Sequence, residues 1–381
     1  MLSVSTDGNE LFSRKGLTMG AGIPFLGGMR RLLIIEPYFG TSHAHLIRGL
    51  MERLDCECEL LEMSPRKWKW RMRGGAIHLA GMAGEIVPCD AIFASDFLDL
   101  PAFLALGSDW LRDCRKTVYF HENQITYPVR VNDERDFHFG LTNITTALSA
   151  DAVAFNSDFH KWEFLGAMEE LISKFPDYRP KGLAEAIAEK SSVLPIPLDL
   201  DTIPTGHNRT GPLRILWNQR WEFDKAPEVL FEALFDLDES GVDFELIVAG
   251  EGFEYYPPIF DEARERLAHR IVHWGFVDSR QEYLRLLGDC DVVVSTAIHE
   301  FFGIAVAEAV AGGCRPLLPN RLAYSDMYPP EFLYDNDSDF REQLRRMCFN
   351  PELARTDDYR GLVSHLDWSE QIGKYEKFIF N

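Results

Sequence analysis

One rhythm constrains this chain more than any other feature. Short, unbroken runs of Val, Ile and Leu alternate with helix-like segments, twice over, with a polar break between the two series. In the first half such runs fall at 31–37 (RLLIIEP), 91–94, 117–121 (TVYFH), 152–156 (AVAFN) and 192–197 (SVLPIP). Helical patterns occupy 137–150 and 158–172. The series restarts at 213–218 (LRILWN) and continues at 244–249, 270–274, 291–296 (DVVVST) and 315–318, with helices expected over 227–237, 259–268, 280–287 and 304–311. Strands that are apolar throughout, rather than on alternate positions, are covered on both faces, as parallel strands between helices are. The expectation is an α/β protein of two doubly wound domains, 29–198 and 213–364. A Pro- and Gly-bearing linker at 199–212 joins them, and a C-terminal helix over 365–381 is expected to pack back toward the first domain. A length of 381 residues suits two domains of about 150 residues each.

Composition removes several function classes. At 46% hydrophobic and 26% charged, the chain has enough apolar surface for a full core, and no run reaches the ~20 apolar residues of a membrane span. Residues 1–28 carry neither periodicity nor a compact apolar signal and read as a disordered leader, with Met19 and Met29 as alternative starts. Seven cysteines without a C-x-x-C pair point to reduced thiols in a cytoplasmic protein rather than to disulfides or zinc. The glycosylation-type triplets at Asn143 and Asn208 then read as chance. A net charge of −21 works against non-specific attraction to nucleic acid or anionic membrane, though it leaves room for one local basic patch.

In open parallel sheets, ligands sit at the carboxyl ends of strands, and there the informative motifs fall. His299-Glu300-Phe301-Phe302-Gly303-Ile304-Ala305-Val306-Ala307-Glu308 runs from a strand end through a loop into a helix. A glycine at a helix N-terminus allows close approach to unpaired N–H groups and makes a phosphate seat. Glu308, one turn into that helix, suits the hydroxyls of a ribose, and Glu300 those of a sugar. Taken alone, the two would read as solvated surface carboxylates. Arg220 and Lys225, in the loop after the first strand of the second domain, supply two cations at the same edge for a leaving diphosphate. Asp289-Cys290-Asp291 has the spacing of a metal-binding pair but precedes its strand, so it reads as a turn.

With these residues in place, the chain resembles glycosyltransferase family 4, retaining enzymes of the GT-B fold. That resemblance implies two Rossmann-like domains facing across a cleft, with no metal and no cofactor. Arg220 and Lys225 would hold the diphosphate, assisted by the amides near Phe302, Gly303 and Ile304. Glu308 would hold the ribose, Glu300 the transferred sugar, and His121, at the end of a first-domain strand, would touch that sugar. A lone histidine is equally at home as a structural residue. Transfer with retention would proceed through charge stabilisation on the leaving group rather than through a protein nucleophile.

Longer motifs narrow the group. Glu36-Pro37-Tyr38-Phe39-Gly40-Thr41-Ser42-His43, Trp68-Lys69-Trp70-Arg71, the stretch 120–130 (FHENQITYPVR) and 319–324 (PNRLAY) are similar to the tRNA-queuosine α-mannosyltransferase group, from Met29 nearly to the end. This implies GDP-mannose as donor and queuosine in the anticodon loop of an aspartate tRNA as acceptor. It directs attention to Gly40, Ser42, His43, Lys67, Trp68, Lys69, Trp70, Arg71 and Asn123 as acceptor-side residues. Arg66 to Arg73 places five cations and two tryptophans in eight residues. Such a block can meet phosphates and stack on unpaired bases, or it can be a basic loop whose tryptophans pack inward. Two other readings stay open. One is a family 4-like transferase acting on a lipid or polysaccharide precursor, which should carry a basic amphipathic membrane-docking helix not found in this sequence. The other is a non-catalytic nucleotide-sugar binder or a sugar-nucleotide epimerase.

Overall fold

A computed structural model describes residues 29–129, 135–206, 209–252 and 255–381. The expected leader, Arg130 and Asn208 lie outside that set. Two six-stranded sheets carry the fold, and every strand pair is parallel. The first comprises β1 (Arg31–Glu36), β2 (Glu57–Glu62), β3 (Ala91–Ser95), β4 (Arg115–Phe120), β5 (Ala152–Phe155) and β6 (Ser191–Val193), in the order β2-β1-β3-β4-β5-β6. The second comprises β7 (Leu213–Trp217), β8 (Phe244–Val248), β9 (Ile271–Trp274), β10 (Val292–Val294), β11 (Arg315–Pro319) and β12 (Leu333–Tyr334), in the order β12-β11-β10-β7-β8-β9.

Both orders reverse direction once, between β1 and β3 in the first sheet and between β10 and β7 in the second. At such a switch point the connecting loops part in opposite directions and leave a crevice beyond the strand ends. The motif loops after β1, β7 and β10 open there, and the 120–130 stretch follows β4, one strand along from β3.

Strand cores such as Leu32–Ile35 and Val292–Val294 are fully buried, as strands covered on both faces must be. The regular ladders are shorter than the apolar runs. β6 stops at Val193 because the prolines at 195 and 197 have no N–H to give to a ladder. β2 escaped the sequence reading because it is an edge strand whose Glu57, Glu59 and Glu62 face solvent. The basic block at 66–73 is not a loop: Trp68 opens a helix that runs to Ala83. Gly74 and Gly75 within it lower helix propensity and hide it from pattern reading.

The halves are joined at a double crossing. Leu198 N–H donates to Leu366 O at 2.8 Å, and Trp368 N–H donates to Leu198 O at 3.1 Å. The C-terminal helix Trp368–Phe380 lies against β3 and β4 of the first sheet. Tyr375 donates its hydroxyl to Pro195 O at 3.0 Å, and Arg115 donates to Phe378 O at 3.3 Å. Gly49 makes this docking possible, since a Cβ there would stand 1.9 Å from the Trp368 ring. One apolar cluster runs from Leu32 and Ile34 through Trp368 and Tyr375 to Leu216 and Val293, so both domains share core with this helix.

Candidate active site

In the second domain the loops after β7 and β10 are tied together. Ile298 N–H donates to Asp224 O at 2.9 Å, and Thr296 Oγ1 donates to Lys225 O at 2.7 Å. This fixes Lys225, which is buried, with Nζ 3.0 Å from His299 O and 3.2 Å from both Glu300 Oε2 and Asp224 Oδ2. Burial opposes the ammonium, but the charges of Glu300 and Asp224 outweigh it and raise its pKa. The ion pair is therefore retained although Lys225 is buried. His299, buried beside the cationic Lys225, is pushed down to about 4 and stays neutral.

Gly303 has φ +84°, a left-handed conformation, and a Cβ there would meet Tyr324 at 2.8 Å. Only glycine fits both demands, and the helix Ile304–Ala311 begins directly after it. Phe302 is buried in the shared core and offers the site only its backbone. Glu308, one turn on, is buried and held by Arg280, which opens the helix Arg280–Gly288. Asn218 Nδ2 donates to Ala305 O at 2.7 Å and to the Tyr283 hydroxyl at 3.0 Å, fixing that helix to the end of β7. Arg220 stands exposed at the same edge, 3.1 Å from the Tyr127 hydroxyl of the first domain and 3.3 Å from Glu222. Arg280 and Tyr127 carry no sequence mark as site residues, because their position follows from tertiary approach rather than spacing.

The first domain presents a buried charged cluster at its switch point. Glu36, fully buried at the end of β1, accepts from His43 Nδ1 at 2.9 Å, Ser95 Oγ at 2.9 Å and Tyr38 N at 2.8 Å. Burial disfavours the His43 cation, but Glu36 more than compensates and holds its pKa up to about 9. The His43 ring stacks on His121 at 3.8 Å. His121 is in turn driven well below its ordinary pKa, first by burial and then by the His43 charge. Its backbone N–H donates to Asp96 Oδ1 at 2.9 Å, while its ring Nδ1 is buried with no partner among the described residues. Glu36, His43 and His121 bring ligating atoms within 4.8 Å of one another. With His43 already spent on Glu36 and lying flat on His121, the arrangement is that of an ion pair beside a neutral imidazole.

The other acceptor-side residues divide. Gly40 caps the helix Thr41–Arg53, and Ser42 and His43 lie in its first turn. Asn123 is wholly buried, and its Oδ1 accepts from Ile125 N and Thr126 N, both at 3.0 Å. Through Oδ1 it shapes the 121–128 loop, while its Nδ2 is buried with no partner among the described residues. Trp68 packs against Phe139 and Phe97, at 5.0 and 6.5 Å between rings. Arg71 is engaged with Ser64, through O and Oγ at 3.0 Å each. Lys67, Lys69 and Trp70 are exposed. Asp291 binds Arg355 twice at 2.9 Å at the amino edge of β10, so the Asp289–Asp291 pair is structural. Asn143 is buried and donates to Asp96 O at 2.9 Å, out of reach of a modifying enzyme.

Residues 31–198 match the family described as tRNA-queuosine alpha-mannosyltransferase N-terminal, and residues 202–329 match glycosyl transferases group 1. A tRNA-queuosine alpha-mannosyltransferase from Drosophila melanogaster is 38% identical over 339 residues, covering 85% of this chain and 88% of its own. Among solved structures, the sucrose-phosphate synthase of Thermosynechococcus elongatus shares the fold at TM-score 0.70 and 14% identity, covering 91% of this chain and 98% of that one. Anabaena HepE with UDP and glucose does so at TM-score 0.63 and 15% identity, covering 92% and 99%. The second domain thus carries a glycosyltransferase site on a GT-B framework, and with both halves matched the chain belongs to the tRNA-queuosine alpha-mannosyltransferase family.

Proposed function

We propose that this glycosyltransferase moves mannose, with retention, from GDP-mannose to queuosine in the anticodon loop of tRNA(Asp). The match to the fly protein across both domains carries the acceptor. The geometry supports the transfer. Lys225 and Arg220 flank the N-terminus of the helix Ile304–Ala311, where a departing diphosphate gathers negative charge. Glu308 takes the ribose hydroxyls and Glu300 those of the mannose. His121, neutral and unpartnered at Nδ1, meets the same sugar from the first domain. Two protein cations neutralise the leaving group, so no metal ion or cofactor is required. On the acceptor side, Gly40 and Ser42 stand at the start of the helix Thr41–Arg53, beside the Glu36–His43 pair. The exposed Lys67, Lys69 and Trp70 meet the RNA, a local basic patch on a chain of net charge −21. Among the described residues no helix is long and apolar enough to cross a membrane, in keeping with a cytoplasmic enzyme working on tRNA.

The deciding assay incubates the protein with GDP-mannose and tRNA(Asp), with and without queuosine, and analyses digested nucleosides by mass spectrometry. A hexose gained by queuosine alone, undiminished by excess EDTA, is the expected result. Labelled mannose passing instead to a lipid or oligosaccharide, or turnover abolished by EDTA and restored by Mg²⁺, would overturn the corresponding part of the proposal.

A further inference from the structure

Among the contacts that cross from the first domain to the donor loops of the second are those of Ser157, His160 and Tyr127. Ser157 Oγ donates to Phe301 O at 2.6 Å. His160 stacks on the Phe301 ring at 4.0 Å. Tyr127 does more than either: its ring meets His299 edge-on at 5.0 Å, and its hydroxyl accepts from Arg220 Nη2 at 3.1 Å. The residue therefore touches both cation-bearing loops of the donor site from the opposite side of the crevice.

The chemistry of that acceptor matters. The same Nη2 also lies 3.3 Å from the Glu222 carboxylate, so Arg220 is held between a neutral phenol and an anion. A phenol takes one N–H while leaving the guanidinium's charge intact. Burial raises the Tyr127 pKa and keeps the hydroxyl protonated and neutral. A planar guanidinium fixed at one nitrogen between two partners presents the rest of its fork in a set direction, whereas one that lost the phenol would be left to Glu222 and solvent.

We infer that Tyr127 is a positioning residue for Arg220, holding its guanidinium toward the diphosphate and making the second domain's donor site depend on the approach of the first. The inference rests on the assignment of Arg220 to the diphosphate.

Calorimetric titration tests this with GDP against guanosine and UDP against uridine, taking the pair the wild type binds more tightly. Tyr127→Phe keeps the ring against His299, so its melting temperature should equal that of the wild type. It should weaken diphosphate binding roughly fivefold and leave nucleoside binding unchanged. In an Arg220→Lys background the same substitution should cost almost nothing further. Equal diphosphate affinity in Tyr127→Phe, or effects that simply add in the double variant, would overturn the inference alone. A wild type that holds the diphosphate no more tightly than the nucleoside would remove Arg220 from the diphosphate, and this inference with it.

Discussion

Lys225 and Glu300, seventy-five residues apart in sequence, form an ion pair at 3.2 Å within which Lys225 also reaches the backbone of the same loop at 3.0 Å. The pair sits at the mouth of a helix N-terminus, with both partners largely withdrawn from water. A charge preorganised in this way pays no reorganisation cost when the leaving group becomes negative. Lys225→Ala should lower kcat by about 100-fold or more, as should Glu300→Ala, which unfastens the lysine and removes the sugar contact proposed for it. Steady-state rates with saturating tRNA check this. A loss below tenfold in either variant would place the pair outside the chemistry.

Glu308 is a different case. The ribose contact proposed for it would be made equally in the ground and transition states, so Glu308→Ala should raise the donor KM roughly tenfold with kcat little altered. Arg280 holds that carboxylate in place from the neighbouring helix. Arg280→Ala should therefore raise the donor KM in the same direction by less, because the carboxylate remains. If either variant lost kcat at constant KM, the ribose assignment would fail.

How much of this was written in the sequence depends on which residues one asks about. The doubly wound architecture was legible because Leu32–Ile35 and Val292–Val294 are buried on both faces and so read as continuous apolar runs. Glu300, Gly303 and Glu308 were legible because strand, loop and helix place them by local spacing alone. The pairing of Glu36 with His43 was hidden, although both lie in a conspicuous motif, since it forms only when the helix Thr41–Arg53 folds back over the end of β1. Arg280 was invisible, and Tyr127, though inside the 120–130 motif, could be given no role, for a stronger reason: each acquires its part from a loop about a hundred residues or a whole helix away. The basic block was seen but its helix was not, because its cations sit at a first turn where the helix dipole disfavours them.

The buried histidines make stability depend on pH in opposite directions. His43, near 9 when folded and 6.5 when unfolded, contributes fully below pH 6.5, and its contribution is lost as pH rises toward 9. His299, near 4 when folded, is a neutral imidazole whose unfolded form takes up a proton first, so stability falls as pH drops from 6.5 toward 4. The melting temperature should therefore peak near pH 6.5. Replacing His43 with glutamine should flatten the alkaline limb, which is worth at most about 3 kcal/mol, and leave the acid limb in place. Melting curves between pH 5 and 9 decide it; an unchanged alkaline limb in His43→Gln would mean that His43 carries no charge in the native state.

The last expectation concerns the acceptor surface. Arg66, Lys67 and Lys69 are exposed and form no ion pair among the described residues, while Trp70 is 62% exposed and lies along its own helix over Gly74. Arg71 and Arg73 are occupied by Ser64 and Asp136. Three free cations at the start of a helix oppose its dipole, a local cost that contact with phosphate would reverse. Trp68, by contrast, is packing: it leans on Phe97, whose ring lies 5.4 Å from His43, so the patch adjoins the charged cluster at the crevice. Replacing Arg66, Lys67 and Lys69 with alanine should weaken tRNA binding and reduce its salt slope by roughly one unit per lost phosphate contact. GDP-mannose affinity should stay constant, because the donor loops belong to the other domain. Trp70→Ala should weaken tRNA binding at unchanged melting temperature if the ring stacks on a base, whereas Trp68→Ala should lower the melting temperature. A triple variant with wild-type tRNA affinity and slope would detach this patch from the acceptor and leave RNA recognition to the residues around Gly40 and Ser42.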